Sequence, residues 1–296
     1  MPDHNRRKFL YNSAAIAAGG VLLTAPFTAT SSPQKKWSVG EIIDLFLKEI
    51  NGAPFPQTVD TLKSGSRDNE VTGIVTTMFA TIPVIKKAIE EKANFIIAHE
   101  PTFYNHTDET DWLKDDNVYQ YKAKLLKDNN ITVWRNHDYI HSHNPDGVMD
   151  GVAEKLGWKK YMTGADSNYD IPQTTLKELI AHCKKSLGIS NVRYIGDATD
   201  KCSKIILAPG AAGGRNQIMA ASKAKPDTLI VGELSEWETA EYIRDARAAG
   251  NKISLIVIGH ADSEEPGSKY MVDWIRKNIP EMKVTEIPAG NPFKFA

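Results

Sequence analysis

The sequence predicts an α/β protein made of two α/β lobes, each with a largely parallel or mixed sheet. Short apolar runs rich in Ile and Val alternate with amphipathic helical patterns, which is the order typical of parallel sheets. Three of these runs end in a histidine, namely His99, His137 and His260. Residues just past the carboxyl ends of such strands line the site in open α/β sheets. The pattern therefore predicts one site shared by several strand ends.

The first half of the folded chain begins with a helix. The sequence Ser38-Val39-Gly40-Glu41 has the Ser-x-x-Glu form of a capping box and precedes a helical apolar pattern that reaches Ile50. A second helix has Pro83 in its first turn, where a missing N–H costs nothing. The predicted strands cover residues 71–79, 95–98 and 131–134, and two later helices cover 115–129 and 146–156.

The second half repeats the alternation. Helices are predicted at residues 175–187, 216–223, 236–249 and 269–278, and strands at 192–196, 204–208, 228–231, 254–258 and 284–287. The glycine-rich turn at residues 209–215 precedes a helix, so it fits either an anion-binding turn or a simple flexible one. Candidate ligands lie before and after the segment 161–225. We therefore predict a discontinuous metal-site lobe at 37–160 plus 226–296, with 161–225 as an inserted lobe.

The composition is that of an ordinary globular protein. Of 296 residues, 41% are hydrophobic and 25% are charged, and the formal net charge is -1. Nucleic-acid binding favours a strongly basic face, so we expect no nucleic-acid partner. The two cysteines, Cys183 and Cys202, are too few for a disulfide framework or a cysteine zinc site. Whether they pair with each other stays open.

The first 32 residues have the pattern of an export signal. Arg6, Arg7 and Lys8 precede an Ala-, Gly- and Leu-containing stretch at residues 13–23, which is a twin-arginine arrangement. The alternative is a chance arginine pair before a membrane anchor. The apolar stretch is shorter than the roughly 20 residues that a spanning helix needs, so we expect no stable membrane span after signal removal. The pattern predicts a periplasmic or otherwise exported protein.

Histidines and carboxylates lie close to the three strand ends. The residues concerned are His99, Glu100, His137, His141, His143, His260 and Glu264. Imidazoles and carboxylates hold zinc, iron, manganese, nickel or cobalt. A position at the strand end favours His137 over His141, and it leaves His143 open as a ligand or a structural residue. His106 alone is more typical of a structural or surface histidine.

The order of these motifs resembles that of the NGG-interacting-factor family, also described as GTP cyclohydrolase I type 2 or dinuclear metal-centre proteins. The matching motifs are Ile-Ile-Ala-His99-Glu100-Pro101, residues 137–141 followed by 146–150, Val231-Gly232-Glu233, and Gly259-His260 with Glu264. The resemblance covers nearly all of the chain after the export signal. It implies the family's dinuclear-metal fold, two divalent metal ions, and a ring-like homo-oligomer, possibly a hexamer.

The family pattern implies five metal ligands, and two of them are exchanged here. The family has His-His-Pro where this chain has His99-Glu100-Pro101, and His-Thr-x-x-Asp where this chain ends in His141. Carrying the ligand positions over gives His99, Glu100, His141, His260 and Glu264, which are still three imidazoles and two carboxylates. This exchange favours a retained dinuclear centre, and an altered metal preference is equally compatible with it.

The leading functional hypothesis is a metal-dependent hydrolase that acts on an unidentified small molecule. Glu233, His137 and Asp262 are the acid/base candidates, and each is also compatible with a purely structural role. Trp237 stands where the family often has histidine, so no role is carried over to that position. An exported enzyme would rarely meet GTP, so the cyclohydrolase label is not carried over either. The alternative is a non-catalytic metal-binding or scaffold protein.

Overall fold

Two five-stranded mixed sheets organise the part of the chain that the computed structural model describes, residues 35–164 and 167–296. The predicted export signal lies outside these residues. The strands are β1 (Leu62–Ser64), β2 (Ile74–Thr77), β3 (Phe95–Ala98), β4 (Thr132–Arg135), β5 (Asn168–Thr175), β6 (Arg193–Ile195), β7 (Lys201–Ala208), β8 (Thr228–Val231), β9 (Ser254–Val257) and β10 (Val284–Glu286). The two-lobed α/β fold with mixed sheets is thereby confirmed.

The helices lie between these strands. They are α1 (Val39–Leu47), α2 (Ile82–Glu90), α3 (Asn117–Asp128), α4 (Asp138–Ser142), α5 (Gly147–Leu156), α6 (Leu176–Leu187), α7 (Gly214–Ala224), α8 (Glu241–Ala248), α9 (His260–Glu264) and α10 (Pro266–Asn278). Short 3₁₀ turns occur at Asp111–Leu113 and Lys159–Tyr161, and a π-helical turn, Glu236–Ala240, precedes α8. None of the helices in the described ranges is long and apolar enough to cross a membrane.

The first sheet has the strand order β1-β4-β3-β2-β10. Its strands β10, β2, β3 and β4 are parallel, and β1 joins the edge antiparallel to β4. All residues of β2, β3 and β4 are buried, as expected for strands covered on both faces. The helix α1 begins with the predicted capping box, in which Ser38 and Glu41 bond reciprocally. The continuous apolar runs of the sequence therefore form the centre of this sheet.

The second sheet has the order β5-β7-β8-β9-β6, with β7, β8 and β9 parallel and both edge strands antiparallel. Its strands β8 and β9 belong to the segment that we predicted to lie in the metal-site lobe. The predicted boundary near residue 225 therefore differs from the boundary between the sheets. In this sheet β8 pairs with β7 and β9 pairs with β8, because each crossover helix returns the chain to the neighbouring position of the same sheet.

The sequence did not predict β1, β5, α4 or α9. The strand β5 escapes the apolar pattern because it lies at the sheet edge and contains Asp170 and Pro172. Its pairing with β7 is interrupted between Asp170 and Thr174, where Pro172 cannot donate a hydrogen bond. The helices α4 and α9 have five residues each, which is too short for a helical period to be recognised.

The two cysteines lie in one apolar core of the second sheet as free thiols. Cys183 of α6 and Cys202 of β7 are both buried. Burial raises the pKa of Cys183 to about 12. Both thiols are therefore protonated at neutral pH, and they pack as small apolar side chains.

Candidate metal centre

The carboxyl end of β3 delivers the first two candidate ligands. The backbone N–H of His99 donates to the Thr77 carbonyl (3.1 Å), and that of Glu100 donates to the Met78 carbonyl (2.9 Å). These bonds continue the ladder past Ala98, so the backbone on both sides of the ligands is fixed. Both side chains are buried although both are polar. Buried polar groups of this kind need partners, and the following elements supply them.

Two more histidines follow β4 on the short helix α4. The Asp60 carboxylate accepts from the backbone N–H of His137 (2.8 Å) and from that of Tyr139 (2.7 Å), which fixes the start of the helix. His137 and His141 are separated by four residues, so they lie on one face of α4. Their rings lie 5.0 Å apart. The sequence left open whether His137 or His141 is the ligand, and the structure places the two rings side by side.

The last two ligands lie on α9, directly after β9. Gly259 precedes this helix with φ = 105°, a left-handed conformation that favours glycine. His260 and Glu264 again have the four-residue spacing of one helix face, and His260 Nε2 lies 3.0 Å from Glu264 Oε2. Glu264 is buried. Strand ends from both sheets therefore contribute to one cluster.

The side chains of the two sheets meet at His99, Glu100 and Glu264. His99 Nε2 lies 3.5 Å from Glu264 Oε2, and Glu100 Oε1 lies 3.3 Å from His260 Nε2. One atom each of His99, Glu100 and Glu264 lies within 4.8 Å of the others, and the same holds for His99, His137 and His141. His99 thus belongs to two adjacent groups that are able to hold a metal ion.

The chemistry of the donors fits a metal ion. His99 Nδ1 lies 3.2 Å from the carbonyl oxygen of Asn136, which can only accept, so Nδ1 carries the proton. His99 Nε2 then has a lone pair, and it is buried without a hydrogen-bond partner among residues 35–164 and 167–296. Buried polar atoms are nearly always paired, and an unpaired imidazole nitrogen beside two carboxylates is the form in which histidine binds a metal.

The other histidines of the cluster are oriented in the same way. The Nδ1 atoms of His137 and His141 each lie 2.9 Å from a carboxylate, that of Asp138 and that of Asp146 respectively. His260 Nδ1 lies 3.3 Å from Glu233 Oε2. Metal-binding histidines characteristically donate their second ring N–H to a carboxylate or carbonyl oxygen, which fixes the tautomer. All four histidines of the cluster meet this condition.

The carboxylates of the cluster are ionised. Burial alone would raise the pKa of Glu264, but its hydrogen bond with His260 and its proximity to His99 hold the pKa well below its usual range. Burial would likewise raise the pKa of Glu100, but the hydrogen bond with His260 and the nearby His99 and His137 together outweigh it and lower that pKa. For His260, burial favours the neutral form, yet the two carboxylates raise its pKa to about 10. In the metal-free chain these carboxylates hold a proton on His260, and a metal ion bound there would take the place of that proton.

A glycine turn between β7 and α7 lies against Glu264. Gly210 has φ = 62°, and a Cβ atom at this position would lie 2.0 Å from Glu264 Oε1. The backbone N–H of Gly210 donates to Ser263 Oγ (2.9 Å). The glycine-rich turn, for which the sequence left an anion-binding or a flexible role open, thus packs on a candidate metal ligand.

A cavity of about 1170 Å³ opens onto the cluster. Glu100, His137, His141, His260 and Glu264 line one part of it. Mostly apolar side chains line the rest, among them Phe79, Tyr104, Met149, Leu207 and Pro292. A cavity of this size accommodates a small organic molecule.

Comparison with known proteins identifies the family. The model of the Duf34/NIF3 (NGG1p interacting factor 3) family matches residues 59–292. The chain belongs to the Duf34/NIF3 family. A GTP cyclohydrolase 1 type 2 homolog of Clostridium acetobutylicum is 29% identical over an alignment of 253 positions that covers 79% of this chain and 89% of that protein. A protein of the same name from Clostridium perfringens is 28% identical over 248 residues, covering 79% and 90% of the two chains.

Solved structures support the same fold. A Bacillus cereus protein related to NIF3 aligns with a TM-score of 0.71 at 16% identity, over 89% of this chain and 100% of that chain. Reduced HcgD from Methanocaldococcus jannaschii aligns with a TM-score of 0.61 at 17% identity, over 86% and 98%. At these identities the likeness concerns the fold alone.

In this Duf34/NIF3 protein, two of the candidate residues lie apart from the cluster. The carboxylate of Asp262 accepts from Asn291 Nδ2 (2.8 Å), and Asp262 lines a different cavity, of about 890 Å³. It lies two positions after His260 on α9, so it points away from the face that carries the ligands. His143 Nε2 bonds to Glu49, and its Nδ1 bonds to the Tyr270 hydroxyl.

The remaining candidates lie near the cluster with different exposure. Glu233, after β8, is half-exposed beside His260, and it lines the cavity together with His106. Trp237 is 80% exposed on the π-helical turn before α8.

Three supporting residues were missed by the sequence interpretation. Arg135 is fully buried at the end of β4 and donates to Glu100 Oε2 (3.2 Å). Asp146 caps α5 through Oδ1 while its Oδ2 lies 2.9 Å from His141. Asp60 fixes α4, as described above. The sequence contained a signal for Arg135, because a charged residue inside an apolar run is unusual. It contained no such signal for Asp60.

Proposed function

We propose that this Duf34/NIF3 protein is an exported, divalent-metal-dependent hydrolase of a small molecule. The convergence of imidazoles and carboxylates on the wall of a largely apolar cavity carries this proposal. Two metal ions would be bound by His99, Glu100, His141, His260 and Glu264. The candidate metals are zinc, iron, manganese, nickel and cobalt. When bound, such ions supply Lewis acidity that activates water and polarises the bond to be cleaved.

The residues around the ligands have separate tasks in this proposal. Arg135 holds Glu100 from the buried side, and Asp146 fixes the ring of His141. Burial lowers the pKa of His137 to about 4, so its imidazole is neutral at neutral pH and would receive a proton only transiently during turnover. The carboxylate of Glu233 is half-exposed at the cavity, where it lies 3.3 Å from His260 Nδ1 and orients that ring. Asp262 has no task in this mechanism.

The proposal extends to location and assembly. The twin-arginine pattern of the first 32 residues supports export, and the family resemblance supports a homo-oligomer. Fractionation of cells that produce the full chain tests the first point, because an uncleaved protein in the cytosol contradicts it. Light scattering of the purified protein tests the second point, and a monomer at micromolar concentration contradicts it.

Metal analysis and a turnover screen test the central claim. We expect two ions per chain in the purified protein, and fewer in Glu264→Gln, while Glu241→Gln on the exposed face of α8 keeps both. A screen with phosphoesters, cyclic amides and nucleotides, GTP included, should reveal turnover that His260→Ala abolishes. Bound metal without any turnover would favour the scaffold alternative. Turnover that survives both substitutions would contradict the mechanism.

A further inference from the structure

The wall of the cavity also contains a buried lysine that the proposed hydrolysis does not use. Lys122 of α3 is only 4% exposed although it lines the cavity. Its Nζ donates to the carbonyl oxygen of Thr102 (2.5 Å). Burying an ammonium group is costly unless other groups compensate for the lost water. The surroundings of Lys122 are therefore informative about what it binds.

The lysine lacks an anionic partner. In the described part of the chain, no carboxylate oxygen lies within 4.0 Å of its Nζ. The charge of Asp108 acts on Lys122 and raises its pKa, but the Asp108 carboxylate pairs with Lys63 (3.2 Å) and lies 3.7 Å from Arg135. Glu100 is in turn paired with Arg135. Burial lowers the pKa of Lys122 to about 8, so it is still mostly charged at neutral pH.

Hydrogen-bond donors are in excess at this wall. An ammonium group has three N–H donors, and the Thr102 carbonyl accepts one of them. The Thr102 side chain is fully buried, and its Oγ1 has no hydrogen-bond partner within residues 35–164 and 167–296. Within the described residues, two ammonium protons of Lys122 have no acceptor and the Thr102 hydroxyl is unpaired, and both residues line the same cavity. Such a surplus of donors is satisfied by an acceptor from outside, above all an anion.

The aromatic ring of Tyr104 completes the wall. Lys122 Nζ lies 5.2 Å from its ring centroid, and Tyr104 is 53% exposed where it lines the cavity. The backbone of Tyr104 has φ = 69°, which non-glycine residues rarely adopt. A flat apolar group that packs on this ring would place an attached anion beside the ammonium group.

We propose that Lys122, Thr102 and Tyr104 form the substrate-recognition subsite of the cavity, and that it binds a small molecule in which a flat apolar body carries one carboxylate or phosphate group. This inference rests on the proposed function for the reaction, because the bond to be cleaved would face the metal centre. The binding itself depends only on the three residues of the subsite.

Calorimetric titration of the full chain tests the subsite. The probes are benzoate and phenyl phosphate, with neutral benzamide as the isosteric control. We expect both or one of the anions to bind at pH 7 and benzamide to bind at least tenfold more weakly, because a charge-assisted bond is lost. The anion that binds more tightly identifies the group on the substrate. Repeating the titration after chelator treatment separates this binding from anion binding by metal ions.

Matched variants assign the binding to Lys122. Lys122→Met should weaken the preferred anion about tenfold or more, whereas Lys122→Arg should retain most of the binding. Lys124→Met is the control, because Lys124 lies on the same helix, exposed, and pairs with Asp128. If Lys122→Met does not fold, Tyr104→Leu takes its place and should weaken both anions severalfold.

Three outcomes would overturn the subsite: no binding of either anion, equal binding by Lys122→Met, or binding that disappears with the chelator. A failed turnover screen would leave all of these measurements interpretable, so the proposed function and the subsite are tested separately.

Discussion

Two regions of this molecule bury histidines beside carboxylates, and only one of them is suited to hold a metal. In the candidate metal centre, His99 has one ring nitrogen bonded to a carbonyl, and the other is buried without a hydrogen-bond partner among the described residues. His143 is also buried next to a carboxylate, Glu49, but both of its ring nitrogens are engaged and its ring stacks on Phe46. Burial and residue type are alike in the two regions. The available nitrogen lone pair is the difference.

The strongest test of this comparison removes each of the two histidines in turn. His99→Ala should abolish binding of at least one metal ion per chain, because His99 belongs to both ligand groups. His143→Ala should leave metal content unchanged and lower the free energy of unfolding by about 1–3 kcal/mol, since the bonds to Glu49 and Tyr270 and the stacking on Phe46 are lost. Metal analysis and urea unfolding measure the two effects. Loss of metal in His143→Ala would remove the distinction.

A second test uses pH in the chelator-treated protein. Contacts with Glu100 and Glu264 raise the pKa of His260 from 6.5 to about 10 in the folded chain. The folded state therefore keeps a proton that the unfolded state releases, and this stabilisation is complete below pH 6.5 and lost as the pH rises to about 10. We expect a decline on the order of a few kcal/mol in urea unfolding over this window.

His260→Gln provides the reference for that decline. Its unfolding free energy should fall less steeply between these pH values, because the proton that links folding to pH is absent. Parallel curves for the two proteins would show that the carboxylates do not hold a proton on His260. His143→Ala retains His260, so its unfolding free energy should fall as steeply with pH as that of the unsubstituted protein.

A third test concerns the turn that packs on the metal centre. Gly210→Ala would place a Cβ 2.0 Å from Glu264 Oε1, whereas a Cβ on Gly213 meets nothing within 4 Å. Both glycines have positive φ, so both variants carry backbone strain of about 1–2 kcal/mol. Only Gly210→Ala should weaken metal binding, by about 10- to 100-fold as for displaced supporting groups. Competition titration with a chelating dye measures this, and equal affinities would contradict the contact.

The smallest expected effect concerns Asp146. Asp146→Asn keeps an oxygen that caps α5 and removes the charge that faces His141 Nδ1. We expect metal affinity to fall about tenfold with an unchanged free energy of unfolding in the metal-free protein. Affinity that is unchanged would mean that His141 needs no orientation by Asp146, and it would weaken the assignment of His141 as a ligand.

The elements that were predictable have local signatures. Residues 95–98 and 228–231 were predicted as strands and are strands, because central parallel strands are apolar on both faces. The N-terminal caps of α1 and α6 likewise correspond to short Ser/Thr-x-x-Glu motifs. The edge strand β5 and the short helix α9 lack such signatures. Missing α9 had a consequence, since its helical spacing separates Asp262 from His260 and Glu264.

The sequence by itself determined the types of the candidate ligands and their placement after three apolar strands. Only the tertiary structure decided that Glu100 and His141 serve one cluster, because it joins the ends of two different sheets at His99. It also decided that Lys122 lies in the cavity wall, which no motif on α3 indicated. Strand patterns reflect local burial, whereas the pairing of sheets and the partners of a buried charge depend on residues far apart in the chain.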